Sequence, residues 1–187
     1  VTGGFILGYP QYVSSCISEL NVSGGLFEVH GTAVPSGFGI GYHDSDVATS
    51  PEELSAVINI SGDGIVHKVG SSKICVGGYG GSRTYLHNVA LNMTGGRFEA
   101  PEADFELMNK NSKVRINLDG GVVDINAFTQ ARNINSYGSS LDFRFSGGTY
   151  RPTQLGMAAA KLSFEILMEK GRAAVQAAKS KVCNTDY

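Results

Sequence analysis

The chain has 187 residues, 42% of them hydrophobic, enough for one continuous core, so a single domain with an appendage is expected. Its 15 Lys and Arg nearly balance 17 Asp and Glu, and only 17% of residues are charged, which leaves no electrostatic basis for binding nucleic acid or an anionic membrane surface. No apolar run approaches the roughly 18 residues that cross a bilayer, so no membrane span is expected.

The sequence opens on Val1-Thr2-Gly3-Gly4 without the basic flank and long apolar stretch of a signal peptide, and reads as a processed or excised piece of a longer chain. Leu20-Asn21-Val22-Ser23-Gly24-Gly25-Leu26-Phe27-Glu28 is the first full copy of an internal repeat. Leu91-Asn92-Met93-Thr94-Gly95-Gly96-Arg97-Phe98-Glu99 and Ile116-Asn117-Leu118-Asp119-Gly120-Gly121-Val122-Val123-Asp124 repeat it. The template is apolar, Asn, apolar, small polar or acidic, Gly-Gly, any, apolar, acid. Ile58-Asn59-Ile60-Ser61-Gly62 inserts Asp63 before Gly64, and Phe143-Arg144-Phe145-Ser146-Gly147-Gly148-Thr149-Tyr150 puts Arg in place of Asn. Val1–Ile6 and Ile74-Cys75-Val76-Gly77-Gly78-Tyr79 keep only the Gly-Gly centre.

Apolar and polar residues alternate on both sides of each Gly-Gly, the period of a strand with one buried face. Glycine turns a sharp corner that a side chain would obstruct, so each copy reads as strand, corner, strand, followed by a variable loop. Stacking such coils buries an apolar column, and the recurrent Asn predicts a ladder of side-chain amides across Asn21, Asn92 and Asn117 on parallel strands. The rival architecture is a β-sandwich or jelly roll, in which Gly-Gly marks hairpin turns. Asn21, Asn59 and Asn92 also form N-x-[ST] sequons, but they recur at the repeat position rather than at loop tips.

The N-x-[ST]-G-G-x-[FV] pattern, over roughly residues 1 to 152, resembles in style the coils of right-handed parallel β-helix proteins, the pectin-lyase-like superfamily and phage tailspikes. That resemblance implies an all-β solenoid and a choice among polysaccharide lyases, glycoside hydrolases, virion receptor-binding spikes and surface adhesins. The motif Asn184-Thr185-Asp186 is similar to one polygalacturonase signature but lacks the paired aspartates that should follow, and reads as a tail.

After Pro152 the period changes. Thr153 is placed to cap an α-helix that, with a short tail, makes up 153–187, with Leu155, Ala159, Leu162 and Ile166 on one stripe and Phe164, Met168, Val175, Ala178 and Val182 on the next. This C-terminal helix is expected either to cap the last coil or to mediate homo-oligomerisation.

No P-loop, dinucleotide fingerprint, nucleophile elbow or HExxH motif occurs, and Cys16, Cys75 and Cys183 lie far apart with no zinc-type spacing, so neither cofactor nor metal site is expected. Cys16 and Cys75 read as small residues buried on strands. Carboxylates are the remaining candidates for catalysis: Asp44 and Asp46 on an inter-repeat loop beside His43, and Asp63 with His67 in the imperfect copy. Turn chemistry is the stronger reading of Asp44-Ser45-Asp46, and Glu28, Glu99 and Asp124 recur as a solvated stripe. Tyr42 and Tyr79, with His43 and His67, are candidate ligand-binding residues, since exposed aromatic rings stack on sugar faces. The expectation is a non-catalytic recognition or structural module of a virion fibre or cell-surface protein, extracellular and facing a polysaccharide or other glycan. Alternatives are a polysaccharide lyase or glycoside hydrolase, and a purely structural assembly subunit.

Overall fold

A computed structural model of the chain describes residues 3–8, 15–32, 37–42, 53–77, 86–107, 112–130, 140–153 and 164–167. All regular structure among them is β. The strands are β1 (Phe5–Leu7), β2 (Ser15–Val22), β3 (Leu26–Val29), β4 (Phe38–Ile40), β5 (Glu53–Ile60), β6 (Ile65–Lys68) and β7 (Ile74–Val76). They continue as β8 (Leu86–Ala100), β9 (Phe105–Leu107), β10 (Ser112–Ile125), β11 (Phe128–Gln130), β12 (Ser140–Phe145), β13 (Thr149–Pro152) and β14 (Phe164–Leu167).

One sheet has the order β1-β4-β7-β9-β11; the other runs β14-β12-β10-β8-β5-β2, with β3, β6 and β13 alongside the second halves of β8 and β10. Every pairing among the described residues is parallel. The chain therefore visits the same places in turn: a short strand in the first sheet, a longer strand in the second, a glycine corner, another strand, and back. Among the described residues no Gly-Gly pair joins antiparallel strands, which overturns the hairpin reading and with it the sandwich or jelly roll.

Alternation sets which residues turn inward. Ala56, Ile58 and Ile60 of β5, Val89, Leu91 and Met93 of β8, and Val114, Ile116 and Leu118 of β10 are buried between the two sheets. Phe38, Phe98, Phe105, Phe128 and Phe143 form an aromatic column through the stack, with successive ring centroids 5.3 to 6.3 Å apart. Burying each ring contributes roughly 1.5–3 kcal/mol, and each ring pair about 0.5–1.5 kcal/mol more.

At the corners one backbone rests on the next. Gly121 has φ +79°, a left-handed conformation that L side chains avoid. Gly120 has no positive φ; its constraint is space, because a Cβ there would lie 2.5 Å from the Thr94 carbonyl oxygen of the preceding coil.

The expected C-terminal helix is corrected. Phe164–Leu167, in the middle of the proposed helix, form strand β14, which pairs with Leu141–Arg144 of β12. The remaining positions of helix and tail, 154–163 and 168–187, lie outside the described residues. Phe164 and Ile166 are two apart, so the segment carries a strand period as well as a helical one, and the backbone groups of β12 offer it a ladder. Thr153 itself is joined to the coils: its N–H donates to the Ile125 carbonyl at 2.9 Å and its hydroxyl to the Pro101 carbonyl at 3.0 Å. The cover expected of a helix is supplied along β12 by a strand.

Candidate functional site

The outward residues of the long sheet lie in register rows, one from each coil. Ile17, Ser55, Asn88, Lys113 and Ser140 form the first, and Glu19, Val57, Ala90, Arg115 and Asp142 the second. Asn21, Asn59, Asn92, Asn117 and Arg144 form the third. In the third row the amides bond head to tail. Asn117 Nδ2 donates to Asn92 Oδ1 at 2.7 Å, Asn92 Nδ2 to Asn59 Oδ1 at 2.8 Å, and Asn59 Nδ2 to Asn21 Oδ1 at 2.8 Å. Asn59 Nδ2 also reaches Glu19 Oε1 at 2.6 Å. The ladder expected from the repeat is present, and Asn59 of the imperfect copy belongs to it.

Small and polar side chains in the middle of these rows leave a groove of about 720 Å³, lined among others by Ser55, Asn88, Asn92, Lys113, Arg115 and Asp142. Asp142 organises one end. Its Oδ2 accepts from Arg115 Nε at 3.1 Å and from Arg144 Nε at 3.0 Å. Its Oδ1 is buried and has no hydrogen-bond partner among the described residues. Because both guanidinium groups use Nε on Asp142, their Nη donors are left for other acceptors. The groove thus offers amide donors and acceptors, guanidinium donors and an ammonium, spaced by the roughly 4.8 Å between strands.

Beyond the glycine corner the same sheet carries a titratable row: Glu28, His67, Glu99, Asp124 and Arg151 are register partners in that order. Glu28 bridges two imidazoles, His30 Nε2 at 2.5 Å and His67 Nδ1 at 3.0 Å. These hydrogen bonds, first from His30 and then from His67, hold the Glu28 carboxyl below its ordinary value. Arg97 Nε lies 2.6 Å from Glu99 Oε1. The stripe read from Glu28, Glu99 and Asp124 is therefore real but mixed in charge. Among the described residues, no group of three or more His, Cys, Asp or Glu is arranged to hold a metal ion.

Tyr42, expected as a sugar platform, is 1% exposed and packs with Cys75 and Ile6 on the outer side of the short sheet, so its ring offers no open face. Its position follows from Gly39, whose missing side chain leaves room for the Tyr42 Cβ. Asp63 is exposed in the turn before β6, and His67 pairs with Glu28 rather than with Asp63. His43, Asp44, Asp46 and Tyr79 lie outside the described residues. The groove residues Asn88, Lys113, Arg115 and Asp142 were not singled out from sequence. Their signal is positional: they stand two or four places before the Asn of each copy, or before Arg144, on the same strand face.

Cys75 is buried on β7 and Cys16 half-buried on β2; both thiols are free. Burial, and then the Glu106 carboxylate, push the Cys75 thiol up to about 12. Among the described residues no helix is long and apolar enough to cross a membrane. Comparison with family models, curated proteins and solved structures finds no match for this chain.

Proposed function

We propose that the protein is a non-catalytic glycan-recognition module of a cell-surface or virion-fibre protein, binding its ligand along the outer face of β5, β8, β10 and β12. The observation that carries this reading is the groove itself, an open trough with polar side chains on every coil it crosses. A linear polymer lying along the stacking direction meets polar side chains at each strand, Ser55 on β5, Asn88 on β8, Lys113 and Arg115 on β10 and Ser140 on β12. Sugar hydroxyls match the amides, and the guanidinium Nη groups of Arg115 and Arg144 suit hydroxyl or carboxylate oxygens.

Hydrolysis of a glycosidic bond uses two carboxyl groups flanking it, and one carboxylate lines the groove among the described residues. The competing enzymatic reading rests on Glu165, which holds the register position beside Asp142 on β14.

The test is a glycan array followed by calorimetric titration. Wild type should retain a defined set of glycans, and Arg115→Ala or Asp142→Asn should weaken binding about tenfold or more with the circular dichroism unchanged. Binding that both variants leave intact, or no binding at all, refutes the proposal. Depolymerisation of a bound glycan, lost in Asp142→Asn or Glu165→Gln, replaces it with the hydrolase or lyase reading.

A further inference from the structure

Three ladders end on one coil. β1, β2 and β3 are the terminal strands of their pairings, each bonded on one side only among the described residues. The core is open there. Phe5, Leu20 and Phe27 point inward yet are only partly buried, whereas Phe38, Ile58 and Val66, their register partners on the next coil, are each 0% exposed. On the outer face of the same coil stand Ile17, 83% exposed, and Leu26, 59% exposed, the exposed large hydrophobic residues of the described chain.

The amide ladder points the same way. Each later amide donates to the Asn of the coil before it, but Asn21 has no acceptor for its Nδ2 among the described residues.

Gly24 supplies the most specific observation. The first glycine of a corner, Gly95, Gly120 or Gly147, has no positive φ; what excludes a side chain is backbone of the preceding corner. A Cβ on Gly95 would lie 2.9 Å from Gly62 main-chain atoms, one on Gly120 2.5 Å from Thr94 O, and one on Gly147 against Asp119 O. Gly24 occupies the equivalent place, also without positive φ, and a Cβ there would meet only Asp63 Oδ1 at 3.0 Å, the end of a flexible side chain on the following coil. The described residues contain nothing that requires glycine at 24. A stacked corner on its open side would.

We propose that the first coil is a docking edge for one further parallel coil of the same template, stacked on its open side. It would continue all three ladders in register, set a carbonyl over Gly24, an amide or carboxylate oxygen over Asn21 and an apolar residue over Leu26, and close the core above Phe5, Leu20 and Phe27. An antiparallel strand brings no corner to Gly24. A second copy stacked head to tail is a poor occupant: its β12 edge is taken by β14, its Asn row ends on Leu167, and β13 ends on Pro152, which has no N–H.

A labelled synthetic peptide of residues 112–125 is a suitable probe, because in the same register its Arg115 faces Glu19, its Asn117 faces Asn21 and its Val122 faces Leu26. Fluorescence anisotropy against the whole chain should show saturable binding, weakened at least tenfold by Gly24→Ala and by Asn21→Leu. Gly24→Ala should keep the wild-type melting temperature within a few degrees, while Gly120→Ala, whose corner is already occupied, should lower it substantially. Absence of saturable binding, or equal binding by Gly24→Ala, overturns the proposal. So does a melting temperature that falls as far in Gly24→Ala as in Gly120→Ala, since Gly24 would then serve the coils already present. A dimer of the chain alone in light scattering, dissociated by Gly24→Ala, would assign the edge to a second copy instead.

Discussion

Replacing Asn92 by Ala removes the ladder at its centre. Two hydrogen bonds disappear, the 2.8 Å bond to Asn59 and the 2.7 Å bond from Asn117, and the Asn59 oxygen and Asn117 amide lose their partners in half-buried surroundings. At a net value near 1 kcal/mol per bond, plus part of the desolvation of two orphaned groups, the expected loss is about 2–3 kcal/mol. Asn21→Ala is the internal control: Asn21 is exposed and accepts a single bond at the ladder's end, so its loss should be about 0.5–1 kcal/mol. Urea denaturation reads the difference as a lower midpoint at unchanged slope, and for a chain of this size each kcal/mol corresponds to about 2–4 °C in melting temperature. A double-mutant cycle between Asn92 and Asn117 should return a coupling of about 1 kcal/mol. If Asn92→Ala costs no more than Asn21→Ala, the ladder is a geometric consequence of the repeat and contributes no stability of its own.

Two further outcomes follow from the titratable groups. With its thiol raised to about 12 by burial and by Glu106, Cys75 should resist iodoacetamide at pH 8 in the folded protein while half-buried Cys16 reacts, which peptide mapping by mass spectrometry resolves; equal labelling of the two would contradict the burial of β7. The folded-state value of Glu28 is depressed, so its contribution to stability is present above the ordinary carboxylate value of 4.5 and is lost as pH falls through the depressed one. The difference in melting temperature between wild type and Glu28→Gln should therefore shrink below about pH 4.5, and a difference independent of pH would show that the two histidines do not hold the carboxylate.

The residues that the sequence misassigned are as instructive as those it revealed. Phe164, Ile166 and Met168 fall two apart, while Leu162 and Ile166 fall four apart, so one segment satisfies both periods, and the choice went to the ladder offered by β12. Tyr42 follows a glycine in a loop-like context, and only the packing of Ile6 and Cys75 around it shows that its ring is buried. The groove left no motif because each row mixes chemistries: Ser55, Asn88, Lys113 and Ser140 share a position but not a type. Their common function, if they bind one ligand, depends on being neighbours.

What the sequence by itself determined is the coil: alternation about Gly-Gly needs only local steric rules and the period of a strand, and the Asn at a constant place in each copy must stack wherever the copies do. Only the tertiary structure decided which coils touch, and so which residues 25 to 40 positions apart stand side by side, such as Asn117 on Asn92 and Asn59 on Asn21. The loops between copies differ in length and absorb that offset, so no fixed spacing encodes it. For the same reason the open side of Gly24 becomes visible only once the other corners are seen in contact. A glycine's sequence does not tell whether its space is needed for the backbone's own conformation or for a neighbour's.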